Sequence, residues 1–179
     1  MRSSIKAALI GTVGGLAGTL AMNYAQRSWT LAVAGQAPSS AAGKHDARDW
    51  QERAEHRNAN EVTAQAVARA LLGRRLMADE LAIAAPLVHF SFGAAMGAVY
   101  GVYAERVIRQ RSGNGFGVLV WLVADEIAMP LMGLSRSTLE RPLELHVQSL
   151  AAHLVYGSTT ERVRQALSGR EGSPAIVGA

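Results

Sequence analysis

Four apolar stretches alternate with polar ones along the 179 residues. The first runs from about Ala7 to Ala25, with helical character reaching about Ala34. The second covers about Leu81 to Tyr103, the third about Phe116 to Leu134, and the fourth about Leu143 to Thr159. Coiled as helices, stretches of ~17–25 residues match the thickness of a bilayer's hydrocarbon layer. The pattern therefore predicts an all-α polytopic membrane protein with four transmembrane helices. The fourth is the least apolar, since Glu144, His146, Gln148, Ser149 and His153 interrupt it. A soluble bundle would also show amphipathic blocks, and the second and third blocks weigh most for the membrane.

Residues 36–78 form a long connection between the first two spans. Pro38, Ser39, Ser40 and Gly43 mark a loop. Further on, Val62, Ala66, Val67, Ala70 and Leu71 share a helical face, with Asn60 placed to cap the start. An amphipathic loop helix is expected there, lying on the membrane or on the bundle. Residues 1–165 are read as one four-span domain and 166–179 as a flexible C-terminal tail.

Composition sharpens this picture. The apolar half of the chain is rich in Ala, Gly, Val and Leu and holds few aromatics. Small residues suit helices that approach closely in a bilayer. Mean hydropathy is only +0.10, because apolar blocks alternate with a very polar stretch from Ser39 to Arg57. Cysteine is absent, which excludes disulfide and thiolate chemistry. The net charge of +4 is carried at block edges and forms no aromatic-interleaved patch, so no nucleic-acid partner is expected. Arg2 and Lys6 precede the first span, Arg106, Arg109 and Arg111 follow the second, and Arg162, Arg164 and Arg170 follow the fourth. By the positive-inside bias, both termini are expected in the cytoplasm of a bacterial cell, the spans crossing its inner membrane. The basic start and Ala32-Val33-Ala34 also imitate a cleaved signal peptide, but the later spans need no such export route.

A repeated string links the second and fourth spans. Tyr100-Gly101, three residues, then Glu105-Arg106-Val107 returns as Tyr156-Gly157, three residues, then Glu161-Arg162-Val163. The four spans thus read as two repeated helical hairpins. His89, Gly93, Gly97, Gly101 and Glu105 fall every four residues, as do Ser149, His153, Gly157 and Glu161. Such glycine stripes let two backbones meet. Gly11, Gly14, Gly15 and Gly18 of the first span read the same way, and no Lys-Ser/Thr follows them to make a phosphate loop.

Asp125 and Glu126 interrupt the third span near its middle, where a lone charge costs several kcal/mol, so they should face the bundle interior. Pro130 frees a backbone acceptor nearby and predicts a kink. Counting ~1.5 Å of rise per residue, His89 and Glu126 reach the same depth, His146 and His153 bracket it, and Asn23 closes the ring. Convergence of these six residues suggests a proton-exchange site or a structural polar network. The histidine spacings lack a metal-binding pair, and neither metal nor cofactor is expected. Glu105 and Glu161 are expected as interfacial charges paired with Arg106, Arg109, Arg162 or Arg164.

The run Asp125-Glu126-Ile127-Ala128-Met129-Pro130-Leu131-Met132-Gly133-Leu134 resembles the signature of the YagU-like family of bacterial inner-membrane proteins. The likeness continues through Pro142, Glu144, His153, Tyr156-Gly157, Thr160-Glu161 and Arg164, and is best over Gly115 to Gln165. Family members usually carry histidine where Asp125 stands and a Pro-Pro pair where Ser135 to Ser137 stand. The resemblance implies a four-span integral membrane protein and supplies no activity.

Three functions compete. A non-catalytic membrane subunit or scaffold, its glycine stripes binding a membrane protein partner or a second copy, is favoured slightly because four short spans leave little room for a solute path. A proton-coupled or ion- or solute-transport protein would use the Asp125/Glu126/His89/His153 cluster. A metal-dependent enzyme has least support, and no hydrolase or nucleotide motif is present.

Overall fold

The computed structural model describes residues 2–34, 59–106, 112–134 and 143–169. All regular structure among them is helical: α1 (Arg2–Ala34), α2 (Ala59–Leu72), α3 (Ala78–Arg106), α4 and α5 (Leu143–Leu167). Helix α4 starts as Gly113–Trp121, passes through a π-helical stretch Leu122–Ala128, and ends in the turn Met129–Leu131. Three segments are long and apolar enough to cross a membrane: Ser4–Ala32, Ala78–Glu105 and Gly113–Leu131. They suggest a membrane location.

The fourth expected span is a helix of full length, α5, but it is more polar than the other three. Its buried face carries Ser149, His153, Thr160, Glu161 and Arg164. The reason is position, since α5 packs between α1 and α4 and is screened on both sides. Helix α5 also continues to Leu167, so the tail begins later than position 166. Residues 35–58 and 170–179, including most of the polar loop and the tail, lie outside the described residues.

Backbone meets backbone at three antiparallel crossings. On α1 against α3, a Cβ at Gly11 or Gly15 would overlap the carbonyl oxygen of Gly97 or Gly93, and one at Gly101 that of Ala7. On α1 against α5, a Cβ at Gly14 would lie 2.8 Å from the Thr160 oxygen, and one at Gly18 2.7 Å from that of Tyr156. On α4 against α5, Gly113 would be brought 2.5 Å from the Gly157 oxygen, and a Cβ at Gly117 would overlap that of His153. Van der Waals contact of this kind holds helices together where burial from water cannot. The stripe of Gly93, Gly97 and Gly101 is therefore buried against this chain's own α1, and is no surface for another protein.

The pair α3 and α4 meets differently, through side chains. Tyr100 stacks on Phe116 with ring centroids 4.2 Å apart, and Phe116 lies 5.7 Å from Tyr156. Met22, Val120, Ala152 and Tyr156 form the apolar core, with Met96 and Phe116 packed on it. The Tyr156 hydroxyl donates across the bundle to the Gly93 carbonyl at 2.8 Å.

Helix α2 packs on α3. Its buried residues are Ala64 and Ala68, whereas Val62, Val67 and Leu71 of the expected apolar face are exposed. Two alanines give a flat, close contact with α3, so the larger side chains turn outward. Asn60 lies inside the first turn of α2 and is not its cap. The Gln65 side chain fixes the following bend by bonding both the N–H and the carbonyl of Leu76 at 2.9 Å. Glu80 accepts from the Met77 N–H at 2.8 Å, satisfying a free donor at the start of α3. It also pairs with Arg74 at 2.6 Å, which holds that guanidinium above its ordinary pKa.

Replacing Gly97 with Leu should cost more than about 2 kcal/mol by forcing α1 from α3. Gly115→Ala is the control: its Cβ would meet only Ser112, at 3.6 Å, so it should be neutral or stabilising by up to about 1 kcal/mol. Chemical unfolding of the detergent-solubilised protein reads both; equal stabilities would show that the crossing does not hold α1 to α3.

Candidate functional site

The acids stand on the π-helical part of α4. Pro130 has no N–H to give, and the Met129 N–H bonds the Ala124 carbonyl five residues back. A wider π turn results, where a kink was expected from Pro130. Adjacent residues of an α-helix point about 100° apart, and the wider turn narrows that angle. Both Asp125 and Glu126 thereby reach α5. The turn ends at Gly133, whose φ of 67° allows the Leu134 N–H to bond the Met129 carbonyl at 2.9 Å.

Each acid has its own partner on α5. Ser149 Oγ donates to Asp125 Oδ2 at 2.5 Å. His146 Nδ1 lies 2.8 Å from Glu126 Oε1. His153 Nδ1 donates to the Ser149 carbonyl at 2.9 Å, which places a proton on that nitrogen, and stands 3.9 Å from Asp125 Oδ2. The side chains of Glu126 and His146 are only 5 % and 15 % exposed, while that of Asp125 is 25 % exposed. A second pair spans the other two helices at the same level: His89 Nε2 sits 3.1 Å from Asn23 Oδ1. His89 is within electrostatic reach of His153 and Asp125. The six expected residues thus fall into two groups, with His146 and His153, about 10 Å apart along α5, reaching to either side of the acids. Glu126 pairs with His146 rather than with His89 or His153.

Ser149 is the member that sequence reasoning left out of the site, although it stands in the four-residue stripe with His153. What the arrangement offers chemically is two carboxylates and three imidazoles, each already hydrogen-bonded, on three helices. Among the described residues no three acids or histidines are grouped so as to hold a metal ion.

A second buried polar group lies at the other end of α5. Arg164 binds Glu161 in a fork, Nε to Oε2 at 2.6 Å and Nη2 to Oε1 at 2.8 Å, and Gln165 adds a bond at 2.7 Å. Buried Tyr100 of α3 lies close enough to influence the Glu161 carboxyl. Glu161 and Arg164 are both buried, and Arg164 is one of the partners expected for Glu161, whereas Glu105 is exposed. Arg164 continues the buried face set by Ser149, His153, Tyr156 and Thr160, and that helical spacing was the available signal for its burial. The bonds from Arg164 and Gln165 satisfy the Glu161 carboxylate within α5 itself.

Residues 75–162 match a family model described as a protein of unknown function (DUF1440). No curated protein and no solved structure matches the chain. The matched stretch begins just before α3 and ends within α5. It contains His89, Asp125, Glu126, His146 and His153, but not Asn23 or any of α1.

Glu161→Leu strands Arg164 and should cost about 3 kcal/mol, whereas Glu161→Gln keeps an acceptor for Arg164 and should cost less. Chemical unfolding of the detergent-solubilised protein reads both, and a Glu161→Leu chain as stable as the unmodified one would contradict the pairing.

Proposed function

We propose that the protein is a four-span integral membrane protein whose Asp125/Glu126–histidine cluster is a protonatable centre, coupling the chain to proton, ion or solute movement. The observation that carries this is the π turn that aims two adjacent intramembrane acids at Ser149 and His146 of α5, with His153 beside them. Ionisable groups in membrane spans are costly and are kept where they act. π turns inside α-helices occur frequently at functional sites.

The fourth span in this reading is α5. Its contacts run from Glu126–His146 at one end, through Gly117–His153 and Gly18–Tyr156, to Gly14–Thr160. A helix lying antiparallel to α1 and α4 over that length shares their depth, whatever its mean hydropathy. The hairpin repeat has similar support. Gly101 meets Ala7 and Gly11 of α1, and Gly157 meets Gly113 and Gly117 of α4, so both hairpins cross in the same register. Tyr100 and Tyr156 precede those glycines in turn. The YagU-like resemblance, the bacterial inner membrane and cytoplasmic termini belong to the same proposal.

A non-catalytic subunit or scaffold, alone or as a homo-oligomer, is the second reading. It is favoured by one observation, the internal hydrogen bond made by every member of the cluster, as helix-fixing groups would have. Burial of the glycine stripes inside the chain removes the docking surface that this reading assigned to them.

Infrared difference spectra of the reconstituted protein decide between them. A protonatable centre gives a carboxylic C=O band on acidification that is weakened in Asp125→Asn and in Glu126→Gln while the fold persists. For a purely structural network, no such band appears, Glu126→Gln is mild, and Glu126→Leu costs about 1–3 kcal/mol by stranding His146. Absence of the band would end the protonatable reading.

A further inference from the structure

Two buried polar groups lie along α5 with an apolar layer between them. The first is the acid–histidine centre, which starts in the opening turn of α5 at His146 and extends to His153. The second is Tyr100, Glu161, Arg164 and Gln165, near the far end. An apolar cluster of Met22, Val120, Ala152 and Tyr156, with Met96 and Phe116 packed against it, begins at the level of Asn23 and His153, the chain neighbours of Met22 and Ala152, and extends toward the second group. Counted along α3, Met96 lies about 10 Å beyond His89, and along α4 Val120 lies about 7 Å before Asp125. Phe116 fills the layer from α4 by stacking on Tyr100 on one side and leaning on Tyr156 on the other. The Tyr156 hydroxyl is occupied as donor to the Gly93 carbonyl. The buried hydroxyls of Thr19 and Thr160 at this depth likewise donate to backbone carbonyls, of Gly15 and Tyr156, so among the described residues these hydroxyls form no side-chain relay between the two groups.

We propose that the acid–histidine centre exchanges protons only with the side where α5 begins, and that the Met22–Met96–Phe116–Val120–Tyr156 layer closes it to the side where α5 ends. This inference rests on the protonatable reading of the centre and adds its sidedness. The position of His146 in the first turn of α5, bonded to Glu126, supplies the open direction. The groups that face Asp125 are Glu126 on its own helix, His146, Ser149 and His153 on α5, and His89 on α3. α1 supplies the neutral Asn23, and α2 touches α4 through the neutral Thr63, whose hydroxyl lies 3.6 Å from Met129 Sδ. The layer acts as a gate: a conformational change that parted Phe116 from Tyr156 would connect the centre with Glu161 and Arg164, and so expose it to the second side.

The test uses the full chain reconstituted in phosphatidylethanolamine–phosphatidylglycerol vesicles. Because the sequence holds no cysteine, a single Ser168→Cys and an impermeant maleimide report which side the end of α5 faces. Dicyclohexylcarbodiimide, which reaches carboxyls through lipid and captures them in their protonated form as an acylurea, is added while pH is lowered on one side at a time. Mass spectrometry of the peptide with Asp125 and Glu126 reads the yield. Lowering pH on the side where α5 begins should raise labelling by up to about tenfold per unit, and lowering it on the other side should leave labelling unchanged. Phe116→Ala should make labelling follow both sides, and Met96→Ala serves the same purpose if the first variant does not fold. Labelling of the unmodified chain that follows both sides, or only the side where α5 ends, overturns the inference and leaves the protonatable centre standing. Layer variants that remain one-sided also overturn it. Labelling that responds to neither side removes the protonatable centre itself.

Discussion

Contact between helix backbones, made possible by glycine, is the interaction on which the other features depend. Apolar side chains gain nothing by leaving lipid for a protein interior of the same polarity, so the cohesion of these helices comes from close packing. At Gly97, Gly101, Gly113 and Gly157 a neighbouring carbonyl oxygen occupies the space of the missing Cβ. Weak Cα–H···O contacts add to dispersion at such distances. Three crossings of this kind draw α1, α3, α4 and α5 together, and α3 is separated from α4 by a stacked Tyr100–Phe116 pair.

The polarity of α5 follows from those crossings. Held between α1 and α4, it carries Ser149, His153, Thr160, Glu161 and Arg164 inward, where Ser149 bonds Asp125 of α4 and the others bond within α5 itself. Thr160 bonds the Tyr156 carbonyl at 2.8 Å, and Arg164 is neutralised by Glu161 three residues before it. Removing polar groups from water is costly unless they are paired, and α5 supplies most of that pairing from its own turns. The same screening explains why mean hydropathy separates α5 from α1, α3 and α4.

The acids of α4 add a different constraint. A regular α-helix would send Asp125 and Glu126 in divergent directions; with Pro130 unable to donate, the π turn brings both to α5. Glu126 then finds His146 and Asp125 finds Ser149. Local backbone irregularity and long-range pairing support one another there. The consequence is a polar level set off from Glu161 and Arg164 by the apolar layer around Phe116, and the proposed proton chemistry and its sidedness both draw on that separation.

The sequence by itself determined the helices and their contents. Apolar runs of membrane length located α1, α3 and α4, and four-residue spacing put His89, Gly93, Gly97 and Gly101 on one stripe. Depth counting brought His89 and Glu126 to one level, with His146 and His153 bracketing it and Asn23 beside it, because rise per residue is fixed in any helix. Tertiary structure decided which faces met. The stripe on α3 meets α1 rather than another protein, α2 turns Ala64 and Ala68 inward and Val67 and Leu71 out, and Glu161 is buried by Arg164 and Tyr100. His146, not His89 or His153, is the partner of Glu126. Periodicity defines the faces of a helix, but the choice of neighbour depends on backbone approach between residues far apart in the chain, and a π turn rotates side chains by an amount that no α-helical count anticipates.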